Sequence, residues 1–256
     1  MDDETLVADA IDAAETTVAL TGAGLSTASG IPDFRSDDGI WQEFDQDALT
    51  IGKFRAFPGE FWADWLTIHN HLFDEAVQPN PAHEALADLE TAGHLNALLT
   101  QNVDGLHARA GSEELVHLHG TGTSATCQQC SDVIPVEGAR EQVESGDTNA
   151  DDSPEPPTCD CGGTYKPDTV LFGEQLPMGA LPTARQRAED ADVFIAAGSS
   201  LTVEPVASLP RTALRNGATL VVVNLDETQY ASEADIVLRE PVEAALPTVV
   251  DELESR

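Results

Sequence analysis

Residues 18–36 read Val18-Ala19-Leu20-Thr21-Gly22-Ala23-Gly24-Leu25-Ser26-Thr27-Ala28-Ser29-Gly30-Ile31-Pro32-Asp33-Phe34-Arg35-Ser36. Val18-Ala19-Leu20 is a short apolar run of the kind that forms a buried strand. It leads into Gly22-Ala23-Gly24, where the missing Cβ atoms would let a diphosphate approach the backbone. A helix N-terminus after this turn would add amide donors and a favourable dipole. A strand followed by G-x-G is equally consistent with a plain tight turn. Thr27 stands where G-x-G-x-x-G has its third glycine, and no acid about 20 residues on closes a second βα unit, so the dehydrogenase fingerprint fits poorly. Ser29-Gly30-Ile31-Pro32-Asp33-Phe34-Arg35 is the more specific half.

Outward from this stretch, apolar spacing predicts a helix over 3–15 on Leu6, Val7, Ala10, Ile11 and Ala14. Residues 33–41 are irregular, with Gly39 as a breaker, and read as a loop that orders over a ligand. Between 53 and 77, Phe61, Trp62, Trp65, Leu66, Ile68, Leu72, Phe73 and Val77 recur at helical spacing. They predict a core-facing stripe, with an acyl or partner groove as the alternative. Asn80-Pro81 opens a helix that Gly93 stops. Short strands are expected at 95–99, 115–118, 170–172, 192–197, 219–223 and 236–238, with helices at 205–215 and 242–253. Alternation of this kind implies a parallel sheet covered on both faces.

Residues 121–164 break the pattern. All four cysteines lie there, in Cys127-x-x-Cys130 and Cys159-x-Cys161. Two close thiolate pairs suit tetrahedral zinc, and a full set of protein ligands makes the metal structural. Disulfides are the alternative, disfavoured inside a cell. Gly162-Gly163 would relieve the tight C-x-C spacing. The segment 137–160 carries eight acids and three prolines, so its middle reads as a mobile loop, in a module without its own core.

Polar residues gather where strands are expected to end. Thr100-Gln101-Asn102-Val103-Asp104 follows one strand, and His119-Gly120 another, the place where ligands bind in open α/β sheets. Asn102 and Asp104 could simply cap the loop. An imidazole with an ordinary pKa of about 6.5 suits general-base work at a pocket rim. His117 has no role of its own, His107 is expected to hold its loop together, and His69, His71, His83 and His94 read as structural or exposed.

Charge sets the remaining limits. The chain of 256 residues has 46 acids, 12 Lys plus Arg and a formal net charge of −34, with Lys53 and Lys166 its only lysines. Such a surface repels nucleic acid and anionic membranes in ordinary buffer. The acids are spread along the chain, which favours adaptation to a salty cytoplasm over an acidic tail. With no basic-then-apolar leader and no spanning run, a cytoplasmic, soluble protein is expected.

The stretch Gly22-Ala23-Gly24-Leu25-Ser26-Thr27-Ala28-Ser29-Gly30-Ile31-Pro32-Asp33-Phe34-Arg35 resembles the cofactor loop of the sirtuins, NAD-dependent protein-lysine deacylases. Thr100 to His107, Leu118-His119-Gly120 and the four cysteines match in the same order, so the likeness covers nearly the whole chain; with the acidic composition, it points to a member of that family from a halophilic archaeon. It implies a Rossmann-like NAD-binding domain over 1–40, 78–120 and 165–256, a helical module over 41–77 and a zinc module over 121–164. It implies a cofactor site of Gly22, Ala23, Gly24, Ser26, Asp33, Phe34, Arg35, Gln101, Asn102, Val103 and Asp104. Gly198, Ser199 and Ser200 would meet ribose or phosphate, Asn224, Leu225 and Asp226 the adenosine side, and Val242 the adenine. Val170 and Phe172 would pair with the substrate peptide by β-addition.

The resemblance further implies that His119 is the base, with Asn102 orienting ribose or water and Asp104 holding the reactive conformer. NAD would be consumed: the acetyl oxygen attacks the ribose carbon as nicotinamide leaves, and the acetyl group ends on ADP-ribose. Members preferring acidic acyl groups carry Tyr-x-x-Arg in the helical module. A gap-free count back from Pro79 puts Thr67 and Asn70 there, without a cation, which favours acetyl. A protein mono-ADP-ribosyltransferase and a non-catalytic NAD or ADP-ribose sensor are the alternatives. Protein substrate and oligomeric state are unreadable.

Overall fold

The computed structural model describes residues 3–33, 39–73, 77–146 and 154–256. The chain runs through α1 (Asp3–Ala13), β1 (Thr17–Thr21), α2 (Ile51–Ala56), α3 (Pro58–Leu72), α4 (Pro81–Thr91), β2 (Ala97–Thr100), α5 (Leu106–Ala110) and β3 (Leu115–His117). It then forms β4 (Gly120–Cys127), β5 (Val133–Pro135), α6 (Val136–Ser145) and β6 (Tyr165–Thr169). It returns with α7 (Ala180–Asp190), β7 (Val193–Ala197), α8 (Leu209–Arg215), β8 (Thr219–Val223), β9 (Ile236–Leu238) and α9 (Val242–Glu254).

Two sheets result. The larger is parallel in the order β3-β2-β1-β7-β8-β9, and the smaller is antiparallel in the order β5-β4-β6. In the larger sheet the strand order reverses between β1 and β7, which opens a crevice beyond their carboxyl ends. Register makes that edge level: Thr21 pairs with Thr100 and Ala197, Thr100 with His117, and Ala197 with Val223. The next residues along the edge are therefore Gly22, Gln101, Leu118, Gly198 and Asn224.

Alternation within the strands covers both faces. Ala19, Leu98, Ile195 and Val221 pack with α1, α4 and α9, while Leu20, Leu99, Phe194 and Val222 pack with α7 and α8. A strand buried on both sides must be apolar at every position, as Val18-Ala19-Leu20 is. Asn80 caps α4 by accepting the Ala82 amide at 2.9 Å, and His83 Nδ1 accepts the Asn80 amide at 3.3 Å in return. This is the expected helix start, with histidine in the place of the usual Glu or Gln.

The structure departs from expectation in several places. The glycine turn leads into 3-10 turns at Ala23–Leu25 and Thr27–Ser29, not an α-helix, and Gly30 at φ 91° ends them. Val170-Leu171-Phe172 is no strand: Val170 N–H donates to His119 O at 2.9 Å and Phe172 N–H to Leu49 O at 3.0 Å, so it bridges two neighbours without joining a sheet. The strand just before it, β6, belongs to the small sheet, although the large domain was expected to resume at 165. Helix α6 (Val136–Ser145) precedes the middle of the 137–160 segment, and residues 147–153 of that expected loop lie outside the described residues.

The zinc module also shares a core. Ala125, Cys127, Val136, Ala139 and Tyr165 cluster with Phe54, Phe61, Trp62, Trp65 and Leu66 of α2 and α3, and Trp62 Nε1 donates to Tyr165 O at 2.9 Å. The aromatic stripe thus divides, since Ile68 and Leu72 pack with Ile31, Ile40 and Leu106. Thr67 and Asn70 are exposed on α3.

Candidate active site

The β1 turn and the β7 turn touch backbone to backbone. Gly22 N–H donates to Ala197 O at 3.2 Å and Gly24 N–H to Gly198 O at 2.8 Å. A Cβ on either glycine would stand 2.9 Å from Gly198 O. The glycines are thus required by the neighbouring turn, before any ligand is considered. Ala23 and Gly24 are partly buried, and Ser26 is buried just behind them.

Ser26 is where the glycine turn meets the loop after β2. Its hydroxyl donates to Asp104 Oδ2 at 2.7 Å and accepts from Asn102 Nδ2 at 3.2 Å. Asn102 Nδ2 also donates to Gly22 O at 3.0 Å. Both amide hydrogens of Asn102 are then spent, and Oδ1 is the group left for a ligand. Asp104 Oδ1 accepts the Leu106 amide at 2.8 Å, which starts α5. Val103 O accepts the Gly122 amide at 2.8 Å and fixes the loop to β4.

His119 follows β3 and reaches back to this loop. Its Nδ1 lies 3.2 Å from Gln101 O. A carbonyl only accepts, so Nδ1 carries the proton and Nε2 keeps its lone pair. Burial lowers the pKa of His119, and the Gln101 bond opposes this. The imidazole is therefore neutral at neutral pH and able to take a proton. Gln101 Nε2 donates to Ser199 Oγ at 2.9 Å, which ties the β2 and β7 ends together. Glycine turn, polar loop, imidazole and Ser199 thus meet at one edge of one sheet.

The other expected positions are more loosely grouped. Ser200 is exposed and bonds Thr202 at 3.1 Å. Asn224 Nδ2 donates to Asp226 O at 2.9 Å and holds its own turn, with Leu225 and Asp226 exposed. Val242 is buried in the core at the start of α9. Asp33 O accepts the Ile40 amide at 2.8 Å. Phe34 and Arg35 lie outside the described residues. Val170 is tied to His119 as above, and Phe172 is exposed with its ring 5.6 Å from that of Trp41.

Two histidines carry more than the sequence reading assigned. His83, fully buried, sets its Nε2 3.4 Å from Ser26 Oγ, and its ring lies 4.9 Å from that of His107. His107 Nε2 bonds Thr21 Oγ1 at 2.9 Å. Burial lowers His83 to about 4, with Asp104 opposing, and lowers His107 to about 3, helped by repulsion from His83 and His117. Both are neutral struts behind the site. The legible signal for His83 was its place at the third position after a capping Asn.

The four cysteine sulfurs lie within 4.8 Å of one another, with Cys127–Cys161 at 3.5 Å and Cys130–Cys159 at 3.6 Å. Disulfide sulfurs would be about 2 Å apart. A tetrahedral zinc with bonds of about 2.3 Å sets its sulfurs about 3.8 Å apart, so the cluster fits one ion. A Cβ on Gly163 would come 2.6 Å from Cys127 Sγ, so the C-x-C-G-G turn needs that glycine.

Comparison with known proteins agrees with this geometry. The Sir2 family model matches residues 22–205, from the glycine turn past the β7 end. An NAD-dependent protein deacetylase of Haloarcula marismortui is 49% identical over 256 residues, covering 99% of this chain and 96% of that protein. One of Saccharolobus solfataricus is 40% identical over 250 residues, covering 98% and 97%. A solved Sir2 structure with p53 peptide and NAD+ is 36% identical, covers 100% of both chains and superposes with a TM-score of 0.86. With the matched segment spanning the ends of β1, β2, β3 and β7, and relatives of 40–49% identity covering nearly the whole chain, the chain belongs to the Sir2 family.

Proposed function

We propose that this protein removes acetyl groups from protein lysines at the expense of NAD. The observation that carries the reading is the Nδ1 bond of His119 to Gln101 O, which leaves Nε2 as a base on a loop whose Asn102 bonds Gly22 and whose Gln101 bonds Ser199. NAD supplies the ADP-ribosyl acceptor for the acetyl group and gives up nicotinamide. Gly22, Ala23, Gly24 and Ser26, with Asp33, Phe34 and Arg35, form the cofactor loop. Gln101, Asn102, Val103 and Asp104 hold the nicotinamide ribose, and Gly198, Ser199 and Ser200 the phosphates and second ribose. Asn224, Leu225, Asp226 and Val242 take the adenosine end. His119 Nε2 removes a ribose hydroxyl proton, and Asn102 Oδ1 orients ribose or water. Asp104, locked by Ser26 and the Leu106 amide, fixes the loop that presents them.

The peptide lies along Val170 and Phe172, between the zinc and helical modules. We assign 1–40, 78–120 and the chain beyond β6 to the NAD-binding domain, 41–77 to the helical module, and 121–164 together with β6 to the zinc module. The zinc held by Cys127, Cys130, Cys159 and Cys161 secures the small sheet. The acidic surface fits a halophilic cytoplasm and repels nucleic acid and anionic membranes at low salt, and among the described residues no helix is long and apolar enough to cross a membrane. The test is NAD with an acetyl-lysine peptide in molar salt, followed by mass spectrometry. Nicotinamide, free lysine and acetyl-ADP-ribose are expected. ADP-ribosylated protein, or no turnover, refutes the proposal.

A further inference from the structure

Lys166 is one of two lysines in a chain with 46 acids, and it is buried, with 9% of its side chain exposed. Its ammonium donates to Pro167 O at 2.6 Å and Thr169 O at 3.0 Å, and it stands 3.2 Å from Glu174 Oε2. The ammonium is thus hydrogen-bonded to two carbonyls and ion-paired with one carboxylate. Glu174 Oε2 also accepts the Leu171 amide at 3.0 Å, and the Glu174 amide donates to Leu171 O at 2.9 Å. Residues 166–174 are thus folded around one buried positive charge.

The strap held in this way has two outward ties. Val170 N–H donates to the carbonyl of His119. Phe172 bonds Leu49 O through its amide and the Ile51 amide through its carbonyl, each at 3.0 Å. The strap therefore links the base to the helical module and carries the two residues assigned to the peptide. Glu174 pairs with the ammonium and accepts the strap amide of Leu171, so the pair fixes the shape of the segment as well as its charge. A buried charge that loses its partner is costly, so the strap cannot leave Glu174 without penalty.

We propose that Lys166 and Glu174 are positioning residues whose ion pair shapes the Val170–Phe172 strap, and so sets affinity for the acylated peptide and not for NAD. This rests on the deacetylase reading above. In E174Q, KM for an acetyl-lysine peptide should rise about tenfold while KM for NAD stays within about twofold. K166M should behave alike, and K166R should restore the peptide KM to within about threefold, because a guanidinium keeps the charge and several donors. Amide hydrogen exchange at Leu171, measured without NAD or peptide, should be at least tenfold faster in E174Q. Should K166M fail to fold, E174Q and K166R still decide. Parallel rises in both KM values, or unchanged exchange at Leu171, would overturn the proposal. If the wild type does not deacetylate, the deacetylase reading falls; faster Leu171 exchange then still upholds the clamp and unchanged exchange removes it.

Discussion

Nδ1 of His119 and the carbonyl oxygen of Gln101 are 3.2 Å apart, and this one contact assigns the tautomer of the base. With Nδ1 protonated, Nε2 is the only proton acceptor the ring offers. The pKa of His119 is lowered by burial, so its neutral form persists below the ordinary histidine value of 6.5. The acid limb of kcat/KM should accordingly have its midpoint below 6.5, and activity at pH 7 should already be on the plateau. H119A should bind ADP-ribose normally by calorimetry while turnover falls about 100-fold or more. Normal turnover in that variant would remove His119 from the mechanism.

Stability should carry a second acid dependence. His69 is lowered to about 4, chiefly by burial, with its Gly122 bond opposing; His83 lies at about 4 and His107 at about 3. Between 6.5 and these values the unfolded chain binds protons that the folded chain does not. Stability from all three is therefore present above pH 6.5 and is lost as pH falls through about 4. Each proton contributes about 1.4 kcal/mol per pH unit, so three give a slope of roughly 4. Melting temperatures at fixed salt should drop across this window, less steeply in H107N. A flat profile from pH 6.5 to 4.5 contradicts the neutral-strut reading.

Much of the architecture could be read because strands buried on both faces leave no choice of residue. Val18–Leu20 and Thr219–Val223 are such runs, and each stops at a residue that turns toward the crevice. Elements held by few apolar atoms were invisible. Helix α7 buries little besides Ala184 and Ala188, and α6 only Val136 and Ala139. Val170-Leu171-Phe172 misled in the other direction, since an apolar run does not reveal whether its amides will find a strand. Within the site, the motif residues converge as their order suggested. Thr21, Thr100 and His83 were illegible as parts of it, because buried struts have no sequence signal beyond their polarity.

Substitution at the glycine turn gives a test that separates packing from ligand approach. A Cβ on Gly24 would face Gly198 O at 2.9 Å, and one on Gly198 would face Leu25 N at 2.3 Å at a φ of 59°. Both clashes are with backbone, which cannot swing aside. G24A should push the β1 and β7 turns apart and weaken NAD binding at least tenfold, with a cooperative melt retained because the rest of the sheet is untouched. G198A should be worse, adding backbone strain of about 1–3 kcal/mol to the clash. Wild-type NAD affinity in both variants would show that the turns do not need to touch.

Removal of zinc should be visible in tryptophan fluorescence. Trp62 and Trp65 lie in one cluster with Cys127 and Cys159, and Trp62 donates to Tyr165 on β6. Without the ion, four thiols crowd together with no charge to hold them, and the shared cluster loses one wall. A chelator should shift the emission to the red and abolish deacetylation, and added zinc should restore both. C130S should reproduce the chelated spectrum. Full activity with less than half an equivalent of metal would contradict a structural role.

Salt should decide whether the chain folds at all. Dividing the 12167 Å² of accessible surface by a net charge of −34 leaves roughly 360 Å² per charge, a mean spacing of about 19 Å. The screening length is about 30 Å at 0.01 M salt, about 10 Å at 0.1 M and about 3 Å at 1 M. Neighbouring charges therefore repel across the whole surface at the lowest of these, partly at the middle one and hardly at the highest. The exposed ion pairs, such as Arg211–Glu233 at 3.8 Å and Arg239–Glu227 at 3.5 Å, are too few to offset this. Circular dichroism should show loss of helix on dialysis from molar salt to about 0.01 M, reversible on return. The same loss should be reduced by acid-to-amide changes on the outer faces of α1 and α9, where they touch no site residue. A spectrum unchanged at 0.01 M would mean that core burial outweighs surface repulsion without help from ions.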